Sequence, residues 1–338
     1  MKAKFLVFVA ILALGIMSSP YVSQAASQAD FFKNRIVTIE CTSPPGSVND
    51  FYSRLLANYM SKMTGAKIAV ENKTAAGGLV ARNSFYRIAK PDGLTILQES
   101  TGRLWPGYLT GAEKGVEYDI SKFEYLPGIK GGPFLLAVSP KGRYGTIELL
   151  KNGKNLKVPS SNSTSILTLA AIGVAETMSL DAAVVTGLSN DDAYLSLQQG
   201  EAHFMVRNYD NMIGFQHKGV VIPLMQLAEK RDPLCADVPT IYEIMSLSEQ
   251  QKRLIRVISP EARIWMLPPG TPQDIVQFWD DAIMQVLNNN DFQKQVAGFT
   301  GVWFGAYISS EGKKELASLM ANQDDFKLYD PLVKKYVR

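Results

Sequence analysis

Between Ile36 and Gln98 the chain switches twice from a short apolar run to helical periodicity, with turn-forming residues at each switch, and this alternation restricts the fold more than any other feature. Ile36-Val-Thr-Ile-Glu-Cys41 reads as a buried strand, stopped by Ser43-Pro-Pro-Gly-Ser-Val-Asn49. Beyond that turn Phe51, Leu55 and Tyr59 share one helical face, with Tyr52, Leu56, Met60 and Met63 alongside. A helix is therefore predicted, with Asn49 or Asp50 capping its start and Gly65 closing its end. Lys67-Ile-Ala-Val-Glu71 is a second strand, Asn72 to Gly77 a second turn, and Gly78 to Ala89 a second helix ended by Pro91-Asp-Gly93. Leu94-Thr-Ile-Leu-Gln98 supplies a third strand.

Strand, helix, strand, helix, strand with such short connections favours parallel strands joined by right-handed crossovers. Both strand-to-helix turns then lie on one edge of one sheet. There the helix N-termini present unpaired backbone N–H groups and the positive end of the helix dipole, so an anion can be held without a cationic side chain.

From Phe134 the pattern restarts. Phe134-Leu-Leu-Ala-Val138 is a strand, and Leu156-Lys-Val-Pro159 leads into the hydroxyl-rich run Ser160-Ser-Asn-Ser-Thr-Ser165. Ile166 to Met178 is small and apolar at helical spacing, Ala182-Ala-Val-Val185 is a strand, and Ala193 to Gln199 is a short helix stopped by Gly200. Ala202-His-Phe-Met-Val206 makes one more strand, with Arg207-Asn-Tyr-Asp210 just beyond its end. Arg263-Ile-Trp-Met-Leu267 signals a return to the first unit, Thr271 caps and Pro272 starts a helix running to Leu287, and a closing helix covers Glu311 to Asn322. A chain that enters a second domain and comes back has two linking strands, the connectivity of a hinged clamshell. The expected fold class is α/β, two Rossmann-like domains joined by two hinge strands, with residues 26–133 and 261–338 in the first domain and 134–260 in the second.

Met1 to Ala25 reads as an address rather than structure: Lys2 and Lys4, an uncharged run from Phe5 to Met17, and the small-residue pattern Ser23-Gln-Ala25 form a secretory signal peptide cleaved after Ala25. The run is too short for a membrane span, which takes roughly 20 apolar residues, and no lipobox cysteine follows it. The bacterial style of this leader points to the periplasm. Thirty-five basic against 32 acidic residues give a net charge of +3, and loss of Lys2 and Lys4 brings it close to neutrality, which leaves no electrostatic footprint for nucleic acid. Cys41 ends a buried strand and Cys235 lies in a loop, and both read as free thiols, although export permits pairing.

Catalytic patterns are scarce. The two histidines, His203 and His217, are not at metal-chelating spacing, His203 sits within a strand pattern, and no nucleophile elbow, zinc motif or phosphate-binding glycine loop is present. No metal and no cofactor are expected. The run at Ser160 stands between a strand and a helix, placing hydroxyls and amides where carboxylate oxygens are well received, though it also suits a plain solvated loop. Arg207, at a strand end in a polar cluster, is the leading candidate for a charge-assisted clamp on a carboxylate, and Arg103 in Ser100-Thr-Gly-Arg-Leu-Trp105 is the second. Trp105 and Phe134 suit either an apolar ligand body or the core.

Taken together, Ser43-Pro-Pro-Gly-Ser-Val-Asn-Asp50, Val70-Glu-Asn-Lys-Thr-Ala-Ala-Gly-Gly78, Ala89-Lys-Pro-Asp-Gly93, Asp237-Val-Pro-Thr-Ile-Tyr-Glu243 and Pro269-Gly-Thr-Pro272 resemble the solute-binding proteins of tripartite tricarboxylate transporters, the TctC or Bug family, along almost the whole mature chain. The resemblance implies a type II periplasmic binding protein: two α/β domains that close on a di- or tricarboxylate, or on an aromatic or amino-containing acid. It also implies that two first-domain turns hold a carboxylate through backbone amides and bridging waters. Those turns map onto Pro45, Gly46, Ser47, Val48, Asn49 and Asp50, and onto Ala75, Ala76, Gly77 and Gly78. The chain departs from the family pattern where Ser160 to Ser165 replaces a Gly/Ser-rich loop and where Val185-Thr-Gly187 replaces Y-K-G.

The expectation is thus a monomeric, non-enzymatic periplasmic receptor that hands a small organic acid to membrane transporter subunits. The first-domain turns grip one carboxylate, and Ser160, Ser161, Ser163, Thr164, Ser165 and Arg207 read the remainder. An exported enzyme acting on an acid and a receptor presenting its ligand to a membrane sensor are the alternatives. A shortage of His and Cys weighs against the enzyme.

Overall fold

The structure, a computed structural model, describes residues 30–111, 113–163, 165–258 and 261–338. The expected signal peptide and Thr164 lie outside the described residues. In chain order the strands are β1 (Ile36–Cys41), β2 (Lys67–Asn72), β3 (Thr95–Ser100), β4 (Glu124–Lys130), β5 (Phe134–Val138), β6 (Leu156–Pro159), β7 (Ala182–Val185), β8 (Met205–Asn208), β9 (Ile222–Gln226), β10 (Ala262–Leu267) and β11 (Ala306–Tyr307). The principal helices are α1 (Val48–Thr64), α2 (Leu79–Ile88), α3 (Thr101–Leu109), α4 (Ile166–Thr177), α5 (Asn190–Gln198), α6 (Tyr209–His217), α7 (Glu249–Arg256), α8 (Gln273–Leu287), α9 (Asn290–Thr300), α10 (Ser309–Ala321) and α11 (Tyr329–Tyr336).

Six strands form the first sheet in the order β11-β4-β10-β3-β1-β2. β1 pairs in parallel with both β2 and β3, Ile39 lying opposite Val70 on one side and Ile96 on the other, as the short crossovers require. Alternation along the strands divides the core. Ile39, Ile96, Trp265 and Leu267 face α1 and α8, where Tyr52, Leu56, Trp279 and Ile283 are buried against them. Leu97, Ile264 and Met266 face the opposite way, toward Phe85, Leu104 and Trp105.

The second unit pairs β8-β5-β9 antiparallel and β6-β7 in parallel. His203 joins these pieces as a structural residue: its amide donates to Lys157 O at 2.9 Å, and its Nδ1 accepts from Lys157 N at 2.8 Å. α4 is buried almost all round, and its side chains share one continuous apolar core with β5, β6 and β8 and with Leu104 and Trp105 of α3. Where α3 meets α4 along this core, Gly102 leaves no room for a side chain: an added Cβ would sit 2.5 Å from Ile166 Cγ2.

Several elements differ from the sequence expectation. Ser47 rather than Asn49 or Asp50 caps α1, because its Oγ is the group that accepts from Asp50 N. Thr271 does not cap α8; its hydroxyl donates to Pro268 O at 2.8 Å and no side-chain cap is made. β8 runs to Asn208, which puts Arg207 inside the strand rather than beyond it. Gly102 and Pro106 disguise α3, which follows β3 without a break. The last helix, expected with the first unit, packs on α4, with Tyr329 Oη donating to Leu254 O and Arg338 N to Val184 O. Among the described residues no helix is long and apolar enough to cross a membrane.

Candidate functional site

At the C-terminal edge of β1 the chain turns through Thr42 to Gly46 into α1. Asp50 fixes this turn. Its carboxylate accepts from Gly46 N at 2.9 Å, from Arg54 Nε at 3.0 Å and from Asn72 Nδ2 at 2.8 Å, so it ties the first turn to the end of β2. Burial pushes the Asp50 carboxyl up, yet Arg54, the Gly46 amide and Asn72 together hold it below its ordinary value. Asn49 is buried too, and its Nδ2 donates to Ser43 Oγ at 2.8 Å.

These bonds correct the expected list of anion donors. Gly46 N is taken by Asp50, Ser47 N by Pro44 O and Asp50 N by Ser47 Oγ, while Pro45 has no N–H to offer. The amides of Val48 and Asn49 remain as the opening donors of α1, where a helix has no internal acceptor. Asp50 is a brace for the turn.

Beside it, the turn Ala75–Gly78 carries three consecutive left-handed residues: Ala76 at φ 51°, Gly77 at φ 64° and Gly78 at φ 89°. Ala76 pays the steric penalty that glycine avoids. Gly78 N donates to Thr74 O at 3.3 Å, which leaves Ala76 and Gly77 as the leading amides of this turn. Gly78 is buried, and a Cβ there falls 2.7 Å from Thr42 Cβ, so the two turns are in contact through a glycine.

A charged cluster under the turns has no sequence forecast. Arg82 of α2 is fully buried; Nη1 lies 2.7 Å from Glu99 Oε2 and 3.3 Å from Gly77 O, and Nη2 lies 2.7 Å from Glu113 Oε1. Arg103, on the first turn of α3, places Nη1 3.4 Å from Thr42 O and 3.7 Å from Glu99 Oε1. Glu99 therefore serves both arginines, and Arg103 reaches the site already partly neutralised. The one available signal was Glu99 itself, an acidic residue directly after the apolar strand Thr95-Ile-Leu-Gln98.

In the second unit the hydroxyl run mostly bonds to itself. Ser160 Oγ lies 2.6 Å from Thr168 Oγ1, Ser161 Oγ lies 3.2 Å from Ser165 Oγ, and Ser165 caps α4. Ser160 and Ser165 are buried, and Ser163 is exposed in a groove with Thr110, Tyr329 and Lys334. Arg207 is no surface residue: it is 2% exposed, and its Nη1 donates to Pro159 O at 3.1 Å and to Val206 O at 2.9 Å. Trp105 and Phe134 are core, Trp105 donating to Tyr125 Oη at 3.3 Å.

The ends of β3, β8 and β10 meet at Glu261, which accepts from Ser100 Oγ and, at 3.0 Å, from Asn208 Nδ2. Next to it Arg263 Nη1 lies 2.7 Å from Asp210 Oδ2, an ion pair shielded from solvent between β10 and α6. Cys41 and Cys235 are buried free thiols, burial pushing Cys41 up and Cys235 up to about 12. Among the described residues no group of three His, Cys, Asp or Glu is placed to hold a metal ion.

The two turns touch on one edge of the first sheet, and the second unit carries a buried guanidinium at Arg207. A family model described as "Tripartite tricarboxylate transporter family receptor" matches residues 52–324. A UPF0065 protein from the gbd 5' region of Cupriavidus necator is 25% identical over 297 residues, covering 86% of this chain and 85% of its own. MatC from Rhodopseudomonas palustris with bound malate superimposes with a TM-score of 0.68 at 21% identity, covering 88% of this chain and 99% of its own. A second protein of that organism, solved with adipate, gives 0.69 at 18% identity, covering 86% and 96%. The fold is that of the two-domain α/β clamshell of periplasmic binding proteins.

Proposed function

This chain belongs to the tripartite tricarboxylate transporter receptor family, a family of solute-binding proteins rather than enzymes, and from that premise we propose that it captures a small organic carboxylate between its two units and delivers it to a membrane transporter. What supports this reading is the contact of the Ala75–Gly78 turn with Thr42, since a Cβ at Gly78 falls 2.7 Å from Thr42 Cβ, so that the second turn lies against the segment leading into α1, whose opening amides are those of Val48 and Asn49. One carboxylate oxygen pair spans such neighbouring donors, and the helix dipole of α1 adds to its stabilisation. The malate and adipate held by structural neighbours give the chemical class to test first.

On this reading the first domain comprises residues 26–133 and most of 261–338, the second 134–260, and the leader directs the mature receptor to the periplasm. Arg103 lies at the rim of the first turn and Arg207 in the second unit. Among the described members of the hydroxyl run, Ser163 is exposed and Ser161 half-buried, and these two are proposed to approach a ligand. A ligand touching both units favours the closed arrangement and shifts the population toward it, which allows a membrane partner to sense occupancy.

The test is a thermal-shift screen of the mature protein against mono-, di- and tricarboxylates and aromatic acids. A true ligand at a hundredfold excess over Kd stabilises the fold by about 2.7 kcal/mol, a shift of several degrees. Absence of a shift with every acid overturns the proposal.

A further inference from the structure

Glu99, the penultimate residue of β3, is fully buried, and both oxygens of its carboxylate are engaged. Oε2 lies 2.7 Å from Arg82 Nη1, while Oε1 accepts from Ser100 N at 2.8 Å and has Arg103 Nη1 at 3.7 Å. Each of the two guanidiniums it holds continues to a backbone carbonyl. Arg82 Nη1 donates to Gly77 O at 3.3 Å and Arg103 Nη1 to Thr42 O at 3.4 Å, so one arginine serves each turn of the first unit. Glu113 Oε1 takes Arg82 Nη2 at 2.7 Å, which balances the cluster at two basic and two acidic side chains.

Apolar side chains fill a core at least as favourably as a cluster of charges. What the charges add here is restraint on the backbone. The Ala75–Gly78 turn carries left-handed residues at Ala76, Gly77 and Gly78, a conformation that persists only where its surroundings over-determine it. Within the turn, the bond from Gly78 N to Thr74 O is long at 3.3 Å. A Cβ added at Gly78 would meet Thr42 Cβ at 2.7 Å and Arg82 Nη1 at 3.2 Å, so the turn rests against the first turn and the guanidinium together. Thr42, buried at that contact, is itself tied to Arg103.

We infer that Glu99 is a positioning residue for both turns: through Arg82 it holds Gly77 O, through Arg103 it holds Thr42 O, and a single buried carboxylate thereby sets the spacing of the turns before any ligand arrives. Glu99 acts through the arginines and makes no contact with the ligand. The inference rests on the carboxylate-receptor reading and names what preorganises that site. The sign of one substitution separates positioning from plain electrostatics. A carboxylate close to an acid-binding edge repels the acid, so by charge alone its removal tightens binding. A carboxylate that spaces the turns is needed for binding despite its charge.

Calorimetric titration of the mature wild-type protein, Glu99→Gln, Glu99→Asp and Glu113→Gln with malate, adipate and the leading acid of the thermal-shift screen tests it. Glu99→Gln removes the charge and Glu99→Asp keeps it on a shorter arm; both should weaken the bound acid roughly tenfold or more, the loss expected when a preorganised site is loosened. Glu113→Gln removes a carboxylate that reaches Arg82 but not Arg103, and its affinity should stay close to wild type. Hydrogen exchange on the ligand-free proteins gives a second readout: the Gly78 amide should exchange faster in both Glu99 variants than in wild type or Glu113→Gln, whatever happens to Tm. Unchanged or tighter binding in Glu99→Gln overturns the inference, and so does an equal loss in Glu113→Gln. If neither Glu99 variant folds, Arg82→Lys decides, since it keeps the charge but gives up the fork that spans Glu99, Glu113 and Gly77 O; weaker binding with faster Gly78 exchange is expected, and wild-type affinity overturns the inference. Failure of the wild-type protein to bind any of the acids sinks the receptor reading itself, a different outcome from binding that is indifferent to Glu99.

Discussion

Asp50 and Ala76 govern the two turns of the first unit by opposite means. Asp50 braces its turn with bonds from Gly46, Arg54 and Asn72, and its carboxyl stays below the ordinary value despite burial. A depressed carboxyl contributes stability that is present above the unfolded value of 3.8 and is lost as pH falls through the lower folded value. Asp50→Asn should therefore cost about 1–3 kcal/mol at pH 7 and flatten the wild-type loss of stability below pH 4, both read from urea melts across pH. Ala76 sits at φ 51°, where a side chain is strained. Ala76→Gly relieves that strain and loosens the unfolded chain, so the urea midpoint should hold or rise by up to about 1 kcal/mol equivalent; a fall would show that the methyl group makes a contact the turn depends on. At this scale the sequence showed where the backbone turns, through Pro45-Gly46 and Gly77-Gly78. It did not show that Asp50 occupies one amide or that Arg82 lies beneath another, because both depend on residues from other elements.

Elements were legible where apolar spacing was regular. β1, α1, β2, α2 and β3 follow the predicted order and lie within two residues of the predicted bounds, and Gly65 closes α1 in the left-handed conformation as expected. α3 and α6 were missed. Each begins directly after a strand with no turn residue between them, and Gly102 and Pro106 break the helical signature of α3 while packing, not propensity, holds it in place. Gly102 is there because α3 crosses α4 with no space for a methyl group: an added Cβ lies 2.5 Å from Ile166 Cγ2 and 3.0 Å from Glu261 Cγ. Gly102→Ala should destabilise the protein by about 1–3 kcal/mol through overpacking, measured as a lower Tm. An unchanged Tm would mean that the two helices separate easily, contrary to the continuous core seen between them.

For the whole molecule, the return of the chain to its first sheet through β10 and β11 sets the architecture, and the sequence signalled it in Arg263 to Pro272. Less visible was the way the last helix leaves the first unit to pack on α4, since a helix shows in sequence only which face is apolar and not which neighbour covers it. The polar junction of Ser100, Asn208, Glu261, Asp210 and Arg263 was hidden for a related reason: its members are far apart in the chain and gather only once both units are folded. The central proposal for the whole molecule is that the backbone amides of two neighbouring turns hold an acid group. An amide-resolved NMR titration of the isotopically labelled protein with the tightest-binding acid of the thermal screen tests this most directly. The expected result is that the amide resonances of Val48, Asn49, Ala76 and Gly77 shift most strongly, saturating together at the calorimetric Kd. Saturable binding that leaves those four amides unmoved while others shift would place the acid elsewhere and contradict the account.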